Sequence, residues 1–195
     1  MADRTTFDSV TRVAAGDLGR NYDNVAIALH WLTALLVIVQ FALSLTWDWF
    51  SRGTRDAMES THVSLGILLT AVILARLVWR AIPAHQRAAV VSGWMKTASK
   101  AVHYILYLML IVQAGLGWAI GWAMGRPIHF FGIPIPGPLE QLARPVRHEL
   151  REIHEKLGWA IVAFALAHAL AALYHHYFLR DRVLGRMLPW AARRA

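Results

Sequence analysis

Four long apolar runs, at residues 25–47, 61–82, 101–122 and 153–179, leave this chain few ways to fold. Each is long enough to cross a hydrocarbon core, which takes ~20 helical residues. Leu, Ala, Ile and Val dominate, and no run has an internal proline. Backbone in lipid must satisfy its own hydrogen bonds, so only helices and closed barrels span. The alternation of a barrel strand is missing here. The expected fold is therefore all-α, an integral-membrane four-helix transmembrane bundle.

Composition agrees. The chain is 57% hydrophobic and only 16% charged, where soluble domains carry roughly a quarter charged residues. Tryptophans such as Trp47, Trp79, Trp122 and Trp190 stand near the predicted ends, as an aromatic belt requires. The first run follows about 24 polar residues and is too long for a signal-peptide core, so it reads as a retained helix. With no cysteine in the chain, disulfides, thiolate zinc sites, iron–sulfur clusters and c-type haem attachment are excluded.

The net charge of +8 could suggest nucleic acid, but its distribution says otherwise. Thirteen of the 20 basic residues fall on the side of the termini and of the loop between runs two and three. The other side holds seven basic and seven acidic residues, so the whole net charge lies on the first side. The positive-inside rule then places both termini in the cytoplasm, with lipid the main surroundings and no nucleic acid. The domain organisation expected is a cytoplasmic tail at 1–24, a bundle at 25–179 and a basic cytoplasmic tail at 180–195. The longest loop, 123–152, faces outward. Its Gly-Ile-Pro-Ile-Pro-Gly-Pro stretch cannot be regular helix and is expected to form an extended cap, a candidate lid over an outer site.

Ten histidines in so apolar a chain need a chemical reason. His154 and His168 stand 14 residues apart in the fourth run, roughly 21 Å of rise and about 40° short of whole turns. They project from nearly one face at two depths, as two stacked cofactors require. Imidazole is the usual axial ligand of b-type haem iron. Depth proposes the partners: His62 is level with His154, and His30 is roughly level with His168. His103 lies at a similar depth to His30. Four residues after His30, His62, His154 and His168 stand Ala34, Gly66, Gly158 and Ala172, each small enough to admit a flat macrocycle. After His103 that position is Tyr107, which ranks His30 above His103. Metal transport by histidine clusters is disfavoured, because the interiors of the spans hold no carboxylate or thiolate. A channel would need a polar stripe, and Gln40, Gln113 and a few hydroxyls are too sparse.

An ordered set of motifs then carries a resemblance. His30-Trp31 opens the first span and His62-Val63-Ser64-Leu65-Gly66 the second. Gly115-Leu116-Gly117 ends the third, and Pro127-Ile128-His129-Phe130-Phe131-Gly132 lies in the loop. His154-Glu155-Lys156-Leu157-Gly158 and His168-Ala169-Leu170-Ala171-Ala172 mark the fourth. From about Tyr22 to Pro189 the chain resembles the bacterial cytochrome b561 family, which shares its design with the cytochrome b subunits of hydrogenases and formate dehydrogenases. The resemblance implies two haem b groups, ligated by His62 with His154 and by His30 with His168. It also implies electron exchange with ubiquinone, and in some members oxidation of superoxide at the periplasmic face. The alternative is an electron-carrying anchor for a separate dehydrogenase or soluble cytochrome.

An anionic substrate favours local positive charge. Arg126, with no acidic residue close in sequence, and Lys156, beside the His154 turn, are the outer candidates. Arg147 and Arg151 read instead as helix-face ion pairs with Glu149, Glu152 and Glu155. Quinone chemistry moves protons, and His103 and His175 are the inner candidates to relay them.

Overall fold

A computed structural model describes residues 23–83, 93–180 and 184–188. Outside the described residues lie the first 22 residues, most of the basic C-terminal tail with Trp190, and Arg87 of the second loop. Helix α1 spans Asn24–Thr46, α2 Arg52–Ala81, α3 Gly93–Trp122 and α4 Arg144–Tyr174. All four are long and apolar enough to cross a membrane. Asp23 caps α1 by accepting a hydrogen bond from the Ala26 amide at 2.8 Å, satisfying one orphan donor of the first turn.

Three helices run further than their apolar runs. Helix α2 begins at Arg52, α3 at Gly93 and α4 at Arg144. The polar first turns of α2 are held by Arg55, which pairs with Asp48 at 2.8 Å and Glu59 at 2.9 Å. Helix α4 takes Pro145 in its first turn, where a missing N–H costs nothing. It ends in a single π-helical turn, His175–Leu179.

The helices pack most closely as the pairs α1–α2 and α3–α4, joined through α2 and α3. Side chains carry contact between α1 and α4, where Phe41 lies edge-on to Trp159 at 4.8 Å. A small buried core of Leu36, Leu69, Val72, Ile73, Leu110 and Ile161 draws on all four helices. It lies about two turns along from His62 on α2, from His103 on α3 and from His154 on α4. The middle of the bundle is therefore an apolar plug with histidines above and below it. Elsewhere large apolar side chains face outward, Ile38 at 66% exposure and Val78 at 65%, as lipid-facing surface must.

The loop between α3 and α4 forms the sequence-predicted extended cap as an antiparallel hairpin. Strand β1 (Ile128–Phe130) pairs with β2 (Ile133–Ile135), with Phe130 opposite Ile133. The turn residues Phe131 and Gly132 have φ of 48° and 90°, the left-handed pair that a two-residue hairpin needs. The hairpin is pinned to α2 by Ser64, 1% exposed, whose hydroxyl accepts from the Phe131 amide at 2.9 Å. Its own hydrogen lies within reach of the Ser60 and His129 carbonyls, at 3.0 and 3.3 Å. Ser64 sits about 160° around α2 from His62. The hairpin thus braces α2 against the end of α3, on the side of α2 turned away from His62, where the expectation was a candidate lid over an outer site.

Beyond the hairpin the chain folds back on α3. The Leu142 amide donates to the Ala123 carbonyl at 3.1 Å. Gly125, at φ 64°, lets that return segment approach; a Cβ there would meet the Gln141 backbone nitrogen at 2.6 Å. This close turn sets Met124 against the first turns of α4.

Candidate functional site

At the end of the bundle that carries the hairpin, His62 of α2 faces His154 of α4, ring centroids 6.4 Å apart. Metal–imidazole bonds of about 2 Å on each side, with the ring radii added, place opposed imidazole centroids roughly 6 Å apart across one metal. The observed separation suits an iron between them. His62 Nδ1 lies 3.2 Å from the Gln40 carbonyl oxygen. A carbonyl only accepts, so Nδ1 carries the proton and Nε2 keeps its lone pair. This is the way a second partner sets a ligating histidine. His154 Nδ1 is buried without a hydrogen-bond partner.

The small residues noted in the sequence line the same level. A Cβ on Gly66 would come within 3.0 Å of Gln40 Nε2, and one on Gly158 within 3.4 Å of Gln113 Nε2. Gly117 of α3 comes to the His154 ring, its Cβ position 3.6 Å from Cε1. Gln113 donates to the His154 carbonyl at 3.0 Å. The side-chain oxygens of Gln40 and Gln113 are buried and have no hydrogen-bond partner. Facing imidazoles, two glycine cradles and three orphaned polar atoms fit a flat cofactor with a metal centre. The two glutamines were visible in the sequence as rare polar residues in apolar spans, and their place beside the histidines was not.

At the other end, where α1 begins and α4 ends, all four helices contribute. His103 of α3 is edge-on to His168 of α4 at 5.0 Å. His30 of α1 meets Arg76 of α2, Nδ1 to Nη2, at 2.8 Å. The Arg76 and Arg80 guanidiniums stand 5.1 and 6.0 Å from the centre of the Tyr107 ring. Tyr107, the bulky residue four after His103, is thus a buried platform for two cations. Arginine cannot accept, so His30 Nδ1 accepts and its proton sits on Nε2. Iron on His30 Nε2 would require Arg76 to release Nδ1. His103 Nδ1 donates to the Ser99 carbonyl at 2.6 Å, which leaves its Nε2 unprotonated. His175 sits in the π turn, where the backbone departs from the helical spacing that aligned it with His168. Arg186, one of the thirteen basic residues of that side and not a site candidate in the sequence, is 4% exposed in the segment after that turn. The same segment accepts a hydrogen bond from Trp31 Nε1 at the Met187 carbonyl, 3.0 Å.

The charged candidates sort differently in space. Lys156 bonds Glu152 at 2.7 Å on an exposed surface, 73% for Lys156, and projects about 160° away from His154 around α4. The structure commits it to that carboxylate on the far side of the helix. Arg126 is exposed in the loop just after Met124. Arg147 and Arg151 do not pair with the glutamates near them in sequence; both point to Met124.

Known proteins bear on this arrangement. A family model described as prokaryotic cytochrome b561 matches residues 21–190. Cytochrome b561 homolog 2 of Escherichia coli (strain K12) is 33% identical over 172 residues, 86% of this chain and 90% of that protein. A Yersinia pestis protein named as a probable superoxide oxidase, CybB, is 29% identical over 171 residues, 87% of this chain and 97% of that one. The cytochrome b562 of Cereibacter sphaeroides is 26% identical over 173 residues, 86% and 94%. With facing imidazoles in a four-helix membrane bundle and a match across nearly its whole length, this chain belongs to the prokaryotic cytochrome b561 family of haem-b electron-transfer proteins of bacterial membranes.

Proposed function

We propose that this protein is a diheme cytochrome b that carries electrons across the inner membrane from periplasmic superoxide to ubiquinone. The observation that carries the reading is the pair of histidine levels separated by an apolar plug. His62 stands against His154 at one level, and His103 against His168 at the other, beyond the core cluster. Haem b, when bound, supplies a one-electron redox centre at each level. His62 and His154 hold the first. His30 and His168 would hold the second, the pairing that the family implies, once Arg76 releases His30 Nδ1; His103 and His168, at 5.0 Å, stand too close for a metal between them. Gly66 and Gly158, whose missing Cβ positions face the Gln40 and Gln113 amides, are the residues assigned to the level of the first macrocycle.

The protein's remaining work is to bring substrates to the two ends. Two superoxide anions give up one electron each and leave as dioxygen; one ubiquinone gains two electrons and two protons. Two protein ligands per iron leave no place for superoxide there, so the hairpin end has to attract the anion near the site. Arg126 is exposed at that end, and Lys156, tied to Glu152, has the weaker claim. The plug of Leu36, Leu69, Val72, Ile73, Leu110 and Ile161 contains no group that carries a proton. Protons for the quinone therefore enter from the end where α1 begins and α4 ends, and His103 and His175 are the groups assigned to relay them. The thirteen basic residues on that side support its cytoplasmic location. The similarity to a probable superoxide oxidase supports the donor.

The test is to purify the protein alone, count its haems and measure superoxide-dependent ubiquinone reduction. Reduction without any partner supports the reading. A diheme protein inert to superoxide is instead a carrier serving a separate dehydrogenase or soluble cytochrome.

A further inference from the structure

Two guanidinium groups at the hairpin end share one weak acceptor. Arg147 Nη1 lies 3.4 Å from Met124 Sδ, and Arg151 Nη2 lies 3.8 Å from the same sulfur. A thioether accepts weakly, whereas the planar fork of arginine matches carboxylates and oxyanions. Arg147 Nε is buried and has no hydrogen-bond partner. Among the described residues neither guanidinium pairs with an acid.

Helix geometry keeps two of the three nearby glutamates away, and the third, Glu155, stands one turn beyond Arg151 but forms none of the ion pairs among the described residues. Taking His154 as the reference direction, Arg147 and Arg151 project about 20° and 60° from it around α4. Glu149 and Glu152 project about 140° and 160° away, on the opposite side, and Glu152 is held by Lys156 at 2.7 Å. Two like charges one turn apart repel. Here they are brought together by the Gly125 turn that fixes Met124. They rise from the face of His154, one and two turns toward the end of the bundle. Arg147 also lies in the first turns of α4, where the helix dipole adds positive potential.

We propose that Arg147 and Arg151 form an anion clamp above His154 that takes a carboxylate or a small oxyanion. The anion is either the carboxylate of the group held by His62 and His154 or a small anion from solution. The clamp rests on the reading above in placing a haem beside His154.

The test uses the haem-loaded full chain and the double variant R147Q/R151Q. Three quantities are read: haem per chain, the midpoint potentials of the haems, and calorimetric binding of formate as the small-anion probe. Loss of about half the haem, or a shifted midpoint of one haem, assigns the clamp to the haem carboxylate. Unchanged haem with formate binding weakened at least tenfold assigns it to an anion from solution. R147K/R151K keeps the charge and loses the fork, and should restore the affected quantity only in part. Wild-type values for all three quantities in R147Q/R151Q would overturn the proposal. Should the double variant not accumulate, R151Q, at an exposed position, reads the same quantities by the same criteria. Wild-type protein that fails to oxidise superoxide refutes the proposed donor and leaves these readouts standing.

Discussion

Replacing Ser64 with alanine isolates what holds the hairpin to the bundle. The hydroxyl is 1% exposed and accepts from the Phe131 amide at 2.9 Å. Alanine removes the acceptor and leaves that amide without its partner, a loss of about 1–2 kcal/mol for a partly buried donor. The same bond holds Phe131 at φ 48°, a conformation that costs a bulky residue roughly 1–2 kcal/mol. Neither change touches His62, on the far side of α2. The hairpin should therefore open more often while the histidine levels stay in place. A change of 1–2 kcal/mol is about a 5- to 30-fold change in an opening equilibrium. Hydrogen exchange read by mass spectrometry on a peptide covering 128–135 should quicken by that factor in Ser64→Ala. Peptides from α2 and α4 should exchange as in the wild type, and the haem spectrum should not move. Phe131→Gly relieves the strained φ and should slow exchange in the same peptide. Equal exchange in wild type and Ser64→Ala would refute the reasoning, as would loss of haem from Ser64→Ala.

Three further outcomes follow from the two ends of the bundle. His103→Ala and His175→Ala should each keep both haems and slow ubiquinone reduction, whereas His30→Ala should lose one haem; steady-state quinone assays and haem counts decide between them. Gly66→Ala should be tolerated, since its Cβ would meet only the mobile Gln40 amide at 3.0 Å. Gly66→Leu and Gly158→Leu should lower haem content by about half by filling the cradle, which a pyridine haemochrome assay would show. Lys156→Ala should leave superoxide reactivity unchanged, because the lysine is committed to Glu152 on an exposed face; a clear fall in the rate would return Lys156 to the site.

Hydropathy made the four spans legible, because lipid demands apolar side chains over a fixed length. It left the true helix ends hidden. Residues 52–60 and 93–100 are helical beyond the apolar slab, and polar helix there looks like loop to a hydropathy reading. The meeting of His62 and His154 was legible too, because rise per residue fixes depth in a straight helix. Depth did not separate His30 from His103, and the structure shows why it could not: both reach the His168 level from different helices. The charges were the least legible part. Arg147 and Arg151 lie among glutamates in sequence, so ion pairs were the natural expectation. Their actual contact, Met124, comes from the loop turned back at Gly125, which depends on tertiary folding alone. The brace at Ser64 was likewise invisible, since it joins residues 67 apart.

The central claim is that imidazole pairs hold a haem at each end of the plug, and haem stoichiometry tests it most directly. Purified wild type should carry two haem b per chain with low-spin spectra. His62→Ala and His154→Ala should each retain one, and His62→Ala/His154→Ala should retain the same single haem at the other level. One haem per wild-type chain, or two haems surviving in His154→Ala, would contradict the account.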